Sequence, residues 1–212
     1  NKGLLRYDTT NDTWLEPWGS TGINGVNNAP VAVVGDILHL GLEGYGVARK
    51  DLVTGEILAP LTAGSGGVLP SNQIYALESD GSNLYIGTQQ GARKWDGTQA
   101  TSFRQGGSWQ TRPQQFFDFE IDGSDIYAGT NIGVCKYDLS SLSIDDCQNV
   151  YDGMPNWATY SVGVDALTVY GGTNSGVGII DKSNFNVLED ENWGEGTQTG
   201  NAIVEIMGDI AY

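Results

Sequence analysis

The chain has 212 residues, with ten Lys and Arg against 26 Asp and Glu, and a formal net charge of −16. Such an acidic chain lacks the basic side chains that neutralise phosphate, which excludes nucleic acid and an anionic membrane surface as partners. Hydrophobic residues make up 39% of the sequence, enough for a core, so the composition excludes a disordered chain. No apolar run approaches the ~20 residues of a membrane-spanning helix. The chain carries no signal peptide and does not begin with Met, which predicts a mature or excised piece.

Two short phrases recur along the chain at a nearly constant spacing. The copies of the first, which runs from a glycine to an aspartate, begin at Gly3, Gly46, Gly91, Gly133 and Gly176. The second phrase precedes the later four copies, and its glycine stands at Gly41, Gly87, Gly129 and Gly172. Because both phrases keep a period of 42 to 46 residues, they predict a protein built from structural repeats.

Each repeat has the pattern of four short strands. In the third repeat, residues 115–121, 125–129, 133–137 and 144–150 are rich in β-branched and aromatic residues, and turn-forming residues lie between them. No segment shows a convincing helical period. A unit of about 42 residues with four antiparallel strands is typical of one blade of a β-propeller.

We therefore predict an all-β fold: a five-bladed β-propeller of four-stranded antiparallel blades, forming a single domain over residues 1–212. The blades are expected at 27–64, 71–107, 113–151, 157–193, and 198–212 joined with 1–19. In the last blade, the N-terminal outer strands would pair with the C-terminal inner strands and close the ring. The alternative is a slice of a longer repeat array, because a fifth full period would need about three more residues.

Three further motifs recur within the repeats: an opening Leu-Pro-Ser-Asn or Met-Pro-Asn, an Asp-Gly turn, and a Gly-Thr pair. They occur at 69–72 and 154–156, at 80–81 and 122–123, and at 87–88, 129–130 and 172–173. With the phrase Gly3-Leu4-Leu5-Arg6-Tyr7-Asp8, they make the whole chain resemble the two-component-regulator propeller family. In that family such repeats form extracellular sensor regions of signalling proteins, and some sense carbohydrate. The resemblance therefore implies an extracellular, periplasmic or cell-surface location, although propellers host many activities.

Two polar positions recur at the end of the third strand of the repeats. The aspartates that end this strand are Asp8, Asp51, Asp96, Asp138 and Asp181, and the basic residues two positions earlier are Arg6, Arg49, Lys94 and Lys136. An aspartate before a turn favours a cap on the backbone amides of the hairpin. We expect the basic residues to pair with the surplus carboxylates. The single histidine, His39, is expected to replace a packing tyrosine.

Acidic residues on the first strands indicate an alternative function. They are Asp118, Glu120, Glu78 and Glu205. Strict alternation puts Asp118 and Glu120 on one side of their strand, and Phe117 and Phe119 on the other. A propeller glycoside hydrolase or lyase would need convergent carboxylates at one depth. Because this pair comes from a single blade, we predict that the chain is not an enzyme and keep the hydrolase or lyase as the alternative.

The sequence predicts one disulfide and no cofactor. Cys135 and Cys147 flank the turn between a third and a fourth strand, in a register that makes them cross-strand neighbours. The bond implies an oxidising compartment. The turns at 122–125 and 8–12 offer oxygen ligands for Ca²⁺, but turn chemistry alone explains their residues, so no metal is expected.

One face of the predicted propeller gathers aromatic and amide side chains. Trp18, Tyr151 and Trp193 close fourth strands and are expected to pack between blades, whereas other aromatic residues fall on loops. We predict as ligand-binding residues Tyr45, Gln89, Trp109, Asn131, Trp157 and Asn174. Aromatic rings among amides suit a neutral glycan or a protein partner, bound by a monomer without catalysis. A purely architectural repeat module is the remaining alternative.

Overall fold

The computed structural model describes residues 4–18, 29–106, 112–191, 204, 206–207 and 210–211. In these residues the regular structure consists of β-strands, and no helix is present. Four antiparallel sheets of four strands follow one another along the chain, and each is built from strands that are consecutive in sequence. We call them blades 1 to 4. The predicted all-β, propeller-like architecture of four-stranded repeats is confirmed.

The strands of the blades have the following bounds. Blade 1 contains β3 (Val31–Val34), β4 (Ile37–Leu42), β5 (Gly46–Asp51) and β6 (Ile57–Leu61), and blade 2 contains β7 (Ile74–Ser79), β8 (Leu84–Thr88), β9 (Gly91–Trp95) and β10 (Ala100–Ser102). Blade 3 contains β11 (Phe116–Asp122), β12 (Asp125–Thr130), β13 (Gly133–Asp138) and β14 (Ile144–Gln148). Blade 4 contains β15 (Thr159–Val164), β16 (Thr168–Thr173), β17 (Val177–Asp181) and β18 (Val187–Glu191).

Two hairpins stand outside these four blades. The first is β1 (Leu4–Asp8) with β2 (Thr13–Trp18), and the second is β19 (Ile206–Met207) with β20 (Ile210–Ala211). Their strand content is that of a third and fourth strand and of a first and second strand, so five blades fit the chain. The structure does not join the two hairpins into one sheet. Closure of the ring therefore stays a prediction.

The core lies between successive blades, whose first strands lie against each other. Between blades 2 and 3, Tyr85 and Phe103 pack against Phe119 and Cys135. Between blades 3 and 4, Tyr127 packs against the apolar side chains of the next sheet. Each sheet thus buries one face against its neighbour, because a single four-stranded sheet cannot shield both of its faces from water.

The recurring aspartates cap the turns, as predicted. Asp51 accepts hydrogen bonds from the backbone N–H groups of Val53 and Thr54, both at 2.8 Å. Asp8, Asp96, Asp138 and Asp181 make equivalent bonds. Hydrogen bonds favour the charged carboxylate, so the pKa of every one of these aspartates is lowered.

The disulfide prediction is also confirmed. Cys135 and Cys147 are directly paired in the register of β13 and β14, their Cα atoms lie 4.0 Å apart, and both are buried. His39 is buried at the position that Tyr85 and Tyr127 occupy in blades 2 and 3, as expected of a packing substitute.

The basic residues two positions before the turn-capping aspartates pair with a carboxylate in only some of the blades. Lys136 lies 3.0 Å from the Asp125 carboxylate. Lys94 instead lies over the ring of Tyr85, and Arg49 lies over the ring of Trp95 in the next blade, each 5.7 Å from the ring centroid. These two positions border aromatic rings, which attract a cation without a carboxylate. The side chain of Arg6 lies outside the described residues.

Candidate recognition face

One end of the blades gathers the turns between second and third strands together with the connections between blades. We call this end the loop face; its turns lie at 43–45, 89–90, 131–132 and 174–175. Backbone hydrogen bonds hold the two sets of loops together: Gly46 N–H donates to the Asn72 carbonyl at 3.1 Å, and Gly91 N–H donates to the Gln114 carbonyl at 2.7 Å. Both bonds link one blade to the loop that leads into the next, so the loop face is a continuous surface.

A buried threonine fixes each of three turns on this face. Thr88, Thr130 and Thr173 end the second strands of blades 2, 3 and 4. Each hydroxyl donates to the carbonyl three residues later and accepts the N–H two residues later, at distances of 2.7 to 3.1 Å. The threonine of the recurring Gly-Thr pair therefore holds the turn through its own hydroxyl.

The amides predicted to bind ligand stand one per turn, in two different environments. Gln89 and Asn174 are exposed. Asn131 is half-buried, and its Oδ1 accepts the N–H groups of Gln114 and Gln115, both at 2.9 Å. The amide oxygen of Asn131 thus holds the loop that leads into β11. Its role in ligand binding stays a prediction, as do those of Gln89 and Asn174.

Aromatic side chains are exposed on the same face. Tyr45 is 60% exposed in blade 1. Trp157, in the connection between blades 3 and 4, is half-buried and packs edge-to-face against Tyr151 with 5.1 Å between ring centroids. Tyr151 is 68% exposed, so its predicted role as a packing residue between blades is wrong. The reason is that β14 ends at Gln148, which leaves Tyr151 in the connecting loop.

Three of the tryptophans considered in the sequence analysis cannot be placed on this surface. Trp109 and Trp193 lie outside the described residues, as does the side chain of Trp18. Of the predicted site residues that the structure describes, Tyr45, Gln89, Asn131 and Asn174 stand on four separate turns, and Trp157 lies in a connection between blades and contacts Tyr151.

The first strand of blade 3 does not alternate strictly. Its register against β12 shifts between Phe116 and Asp118, which places Phe117 in a β-bulge. The prediction that Phe117 and Phe119 share one side is therefore wrong: Phe119 is buried between blades 2 and 3, whereas Phe117 is half-buried and contacts Tyr75 and Tyr160.

The acidic residues of the first strands face neighbours within their own blade or in the next blade. Asp118 Oδ2 accepts the backbone N–H of Val162 in blade 4 at 2.8 Å, which joins two first strands. Burial raises the pKa of Glu78, which stands opposite Tyr85. Glu120 has the equivalent position opposite Tyr127, and Glu205 lies outside the described residues. Within the described part of the chain, no group of three or more His, Cys, Asp or Glu residues could hold a metal ion.

Sequence reasoning missed a row of aromatic rings on the first strands. Tyr75, Phe117 and Tyr160 occupy the bulges of β7, β11 and β15, and their ring centroids lie 5.4 and 5.0 Å apart. A signal for them does exist, because each ring lies twelve residues before the glycine of its Gly-Thr pair.

The described residues contain no helix that is long and apolar enough to cross a membrane.

Comparison with known proteins gives likeness in structure and none in sequence. No protein-family model and no curated protein matches the chain. Its fold is similar to the extracellular domain of the one component system BT4673 from B. thetaiotaomicron, with a TM-score of 0.71, 17% identity, and coverage of 96% of this chain and 28% of that chain. It is also similar to the extracellular domain of the hybrid two component system BT3049 from the same organism, with a TM-score of 0.64, 12% identity, and coverage of 88% and 30%.

A computationally designed protein shares the fold as well. The designed Ika8 protein has a TM-score of 0.60 and 15% identity, over 85% of this chain and 53% of that chain. This chain thus spans about half the length of Ika8 and less than a third of the two extracellular domains. At these identities the likeness is one of fold, and it agrees with the propeller-like architecture.

Proposed function

We propose that this chain is a non-catalytic recognition module whose loop face binds a neutral glycan or a protein partner. The observation that carries the proposal is the exposure of Tyr45 and Tyr151, with the half-buried Trp157 packed against Tyr151, on one end of the blades. Exposed rings on loops that a rigid scaffold holds in place are typical of binding surfaces. The exposed amides of Gln89 and Asn174 add donors and acceptors to that end.

The charge of the chain narrows the ligand class. At −16, the protein repels anionic ligands at long range, which favours neutral glycans or partners with basic surfaces. Aromatic rings can bury the apolar face of a sugar or anchor a partner side chain, and neither interaction requires a cation from the protein.

We infer an extracellular, periplasmic or cell-surface location, as the sensor part of a signalling or surface protein. The buried Cys135–Cys147 disulfide fits an oxidising compartment. The shared fold with extracellular domains of two signalling proteins supports the same location.

The proposal also includes a closed, monomeric ring of five blades over residues 1–212, in which the two terminal hairpins form the fifth blade. Two observations support it. Val204 N–H donates to Ser161 Oγ at 2.9 Å, which continues the linkage between first strands that Asp118 makes with Val162. In blade 1, Val31 is 50% exposed, whereas its counterparts in blades 2 to 4 are buried, so this apolar face has room for a covering blade.

An array of neutral and acidic glycans tests the recognition proposal. We expect the disulfide-intact protein to be retained on neutral glycans, with weaker retention of the Trp157→Ala and Tyr45→Ala variants. Leu167→Ala is the matched control, because Leu167 is 78% exposed at the opposite end of blade 4. For a protein partner, a photo-crosslinker at position 45 should capture it, and one at position 167 should not. Equal behaviour of all variants would contradict the proposal, and release of reducing sugar by the wild type would favour the hydrolase or lyase.

A further inference from the structure

The three rings of the aromatic row each occupy a β-bulge at the same position of a first strand. Tyr75, Phe117 and Tyr160 are each half-buried, whereas the residues just before them, Ile74, Phe116 and Thr159, are fully buried. A bulge inserts one extra residue opposite a single partner residue and re-aims its side chain. Three successive blades use this device at the same position, so the rings line up where the first strands meet.

The rings are offset from one another rather than stacked face to face. Their centroids are 5.4 and 5.0 Å apart with interplanar angles of 35° and 41°. Directly stacked rings would approach to about 3.5–4.0 Å. The rings are thus tilted against one another, and all three side chains are partly exposed.

The row lies at the loop-face end of the first strands. Each ring residue follows a residue that is paired with the last residue of the second strand, namely Thr88, Thr130 or Thr173. Next to the rings, Asp118 accepts the backbone N–H of Val162 in the first strand of blade 4, and Ser161 accepts the backbone N–H of Val204. These bonds hold the residues next to the rings in place. We call the loop-face end of the first strands the inner rim.

The row is amphipathic. Tyr75 and Tyr160 carry phenol hydroxyls on either side of the apolar Phe117, and Gln73 and Gln115 precede two of the rings by two residues. A pyranose ring presents the complementary arrangement, with an apolar face of C–H groups and hydroxyls around its edge. At −16 the chain disfavours acidic sugars.

We propose that Tyr75, Phe117 and Tyr160 form a binding subsite for a pyranose unit of a neutral glycan at the inner rim of the loop face. This inference rests on the proposed recognition function and places the sugar-binding centre on the first strands. The rings on the outer loops, Tyr45 and Trp157, then contact other parts of the ligand.

Calorimetric titration with neutral hexasaccharides of glucose, mannose, galactose and xylose tests the subsite. The informative variant is Phe117→Leu, which keeps an apolar side chain in the bulge and removes the ring. We expect at least one hexasaccharide to bind the wild type, and Phe117→Leu to weaken that binding about tenfold, the effect of losing one well-packed ring contact. Phe117→Tyr, which restores the ring, should recover the affinity.

The controls separate this inference from the proposed function. Leu167→Ala should bind like the wild type, and urea unfolding should show that Phe117→Leu is folded. Should Phe117→Leu fail to fold, Tyr75→Leu, at the end of the row, gives the same comparison. If the affinity is unchanged in the row variants but falls in Trp157→Ala, the subsite is wrong and the recognition face stands. If no hexasaccharide binds, the sugar subsite is wrong, and the proposed function is then decided by cross-linking of a protein partner at position 45.

Discussion

The two ends of the blades use their polar side chains in different ways. At the end opposite the loop face, which we call the turn face, aspartates bond to the turns that they themselves begin. Asp80 accepts the N–H groups of Ser82 and Asn83 and the hydroxyl of Tyr85, at 2.6 to 2.8 Å. Asp165 repeats this arrangement in blade 4. Side chains on the turn face are thus committed to local structure.

On the loop face, the turns are held instead by buried threonines and by backbone hydrogen bonds between blades. The residues that follow these threonines are Gln89, Asn131 and Asn174, and the side chains of Gln89 and Asn174 are exposed. Because the buried threonine hydroxyl holds each turn, an exposed side chain on the turn can change while the turn stays the same. Variation at one end is therefore compatible with an unchanged fold, and that end is suited to recognition.

The largest expected difference between the two ends concerns glycine. Gly133 on the loop face and Gly123 on the turn face both have positive φ, of +111° and +59°. A Cβ at Gly133 would overlap the carbonyl oxygen of Gln148, whereas the space around Gly123 is open. We expect Gly133→Ala to lower the free energy of unfolding by at least about 3 kcal/mol and Gly123→Ala by only about 1 kcal/mol. Urea denaturation measures both, and equal losses would contradict the view that the loop-face turn of blade 3 is packed against β14.

A smaller difference is expected for polar side chains. Asp80→Ala removes four hydrogen bonds and leaves the buried Tyr85 hydroxyl without its acceptor, so it should cost about 1–2 kcal/mol. Asn174→Ala, on the loop face, should change the free energy of unfolding by less than about 0.5 kcal/mol. Thermal unfolding of the two variants gives the comparison. A larger loss for Asn174→Ala would show that the loop face is structural.

The parts of the fold that repeat were predictable from sequence, and the parts that depend on a neighbouring blade were not. The period of the glycines predicts four-stranded sheets, and the turn between Cys135 and Cys147 predicts their bond. The bulge at Phe117 leaves the repeat period intact, so spacing cannot reveal it. The contact between Arg49 and Trp95 joins two blades, and no pattern within one repeat specifies it.

For the candidate site, sequence identified the face but not the state of its residues. Exposure of Tyr151 depends on where β14 ends, and strand ends vary between repeats. The bonds of Asn131 to the preceding loop depend on how that loop folds back, which requires coordinates.

The turn face should also control the response to acid. Hydrogen bonds from Ser140 and Ser141 lower the pKa of Asp138 to about 2, below the ordinary 3.8. A carboxyl with a lowered pKa binds its proton less readily in the folded state, so its stabilising effect is complete above about pH 4 and is lost as the pH falls to about 2. Urea midpoints measured across this range should decline, and Asp138→Asn should flatten the decline. An unchanged slope in Asp138→Asn would contradict a role for the turn caps.

A second pH effect, at higher pH than that of the aspartates, comes from His39, which lies in blade 1 between the two ends. Burial, together with the nearby Arg49, lowers its pKa from 6.5 to about 4. The unfolded chain therefore takes up this proton first, and stability should fall as the pH drops from about 6.5 to about 4. His39→Phe should abolish that part of the pH dependence and leave the steeper decline below pH 4. A wild-type midpoint that is constant from pH 6.5 to pH 4 would show that His39 titrates normally.

Hydrogen–deuterium exchange with and without the neutral hexasaccharides tests most directly whether recognition belongs to one end of the molecule. We expect slower exchange in the presence of sugar at 43–46, 89–91 and 114–118, on the loop face and its inner rim. The turns at 80–83 and 165–168, on the turn face, should exchange at the same rate in both samples. Protection of the turn-face segments with none on the loop face would contradict the account.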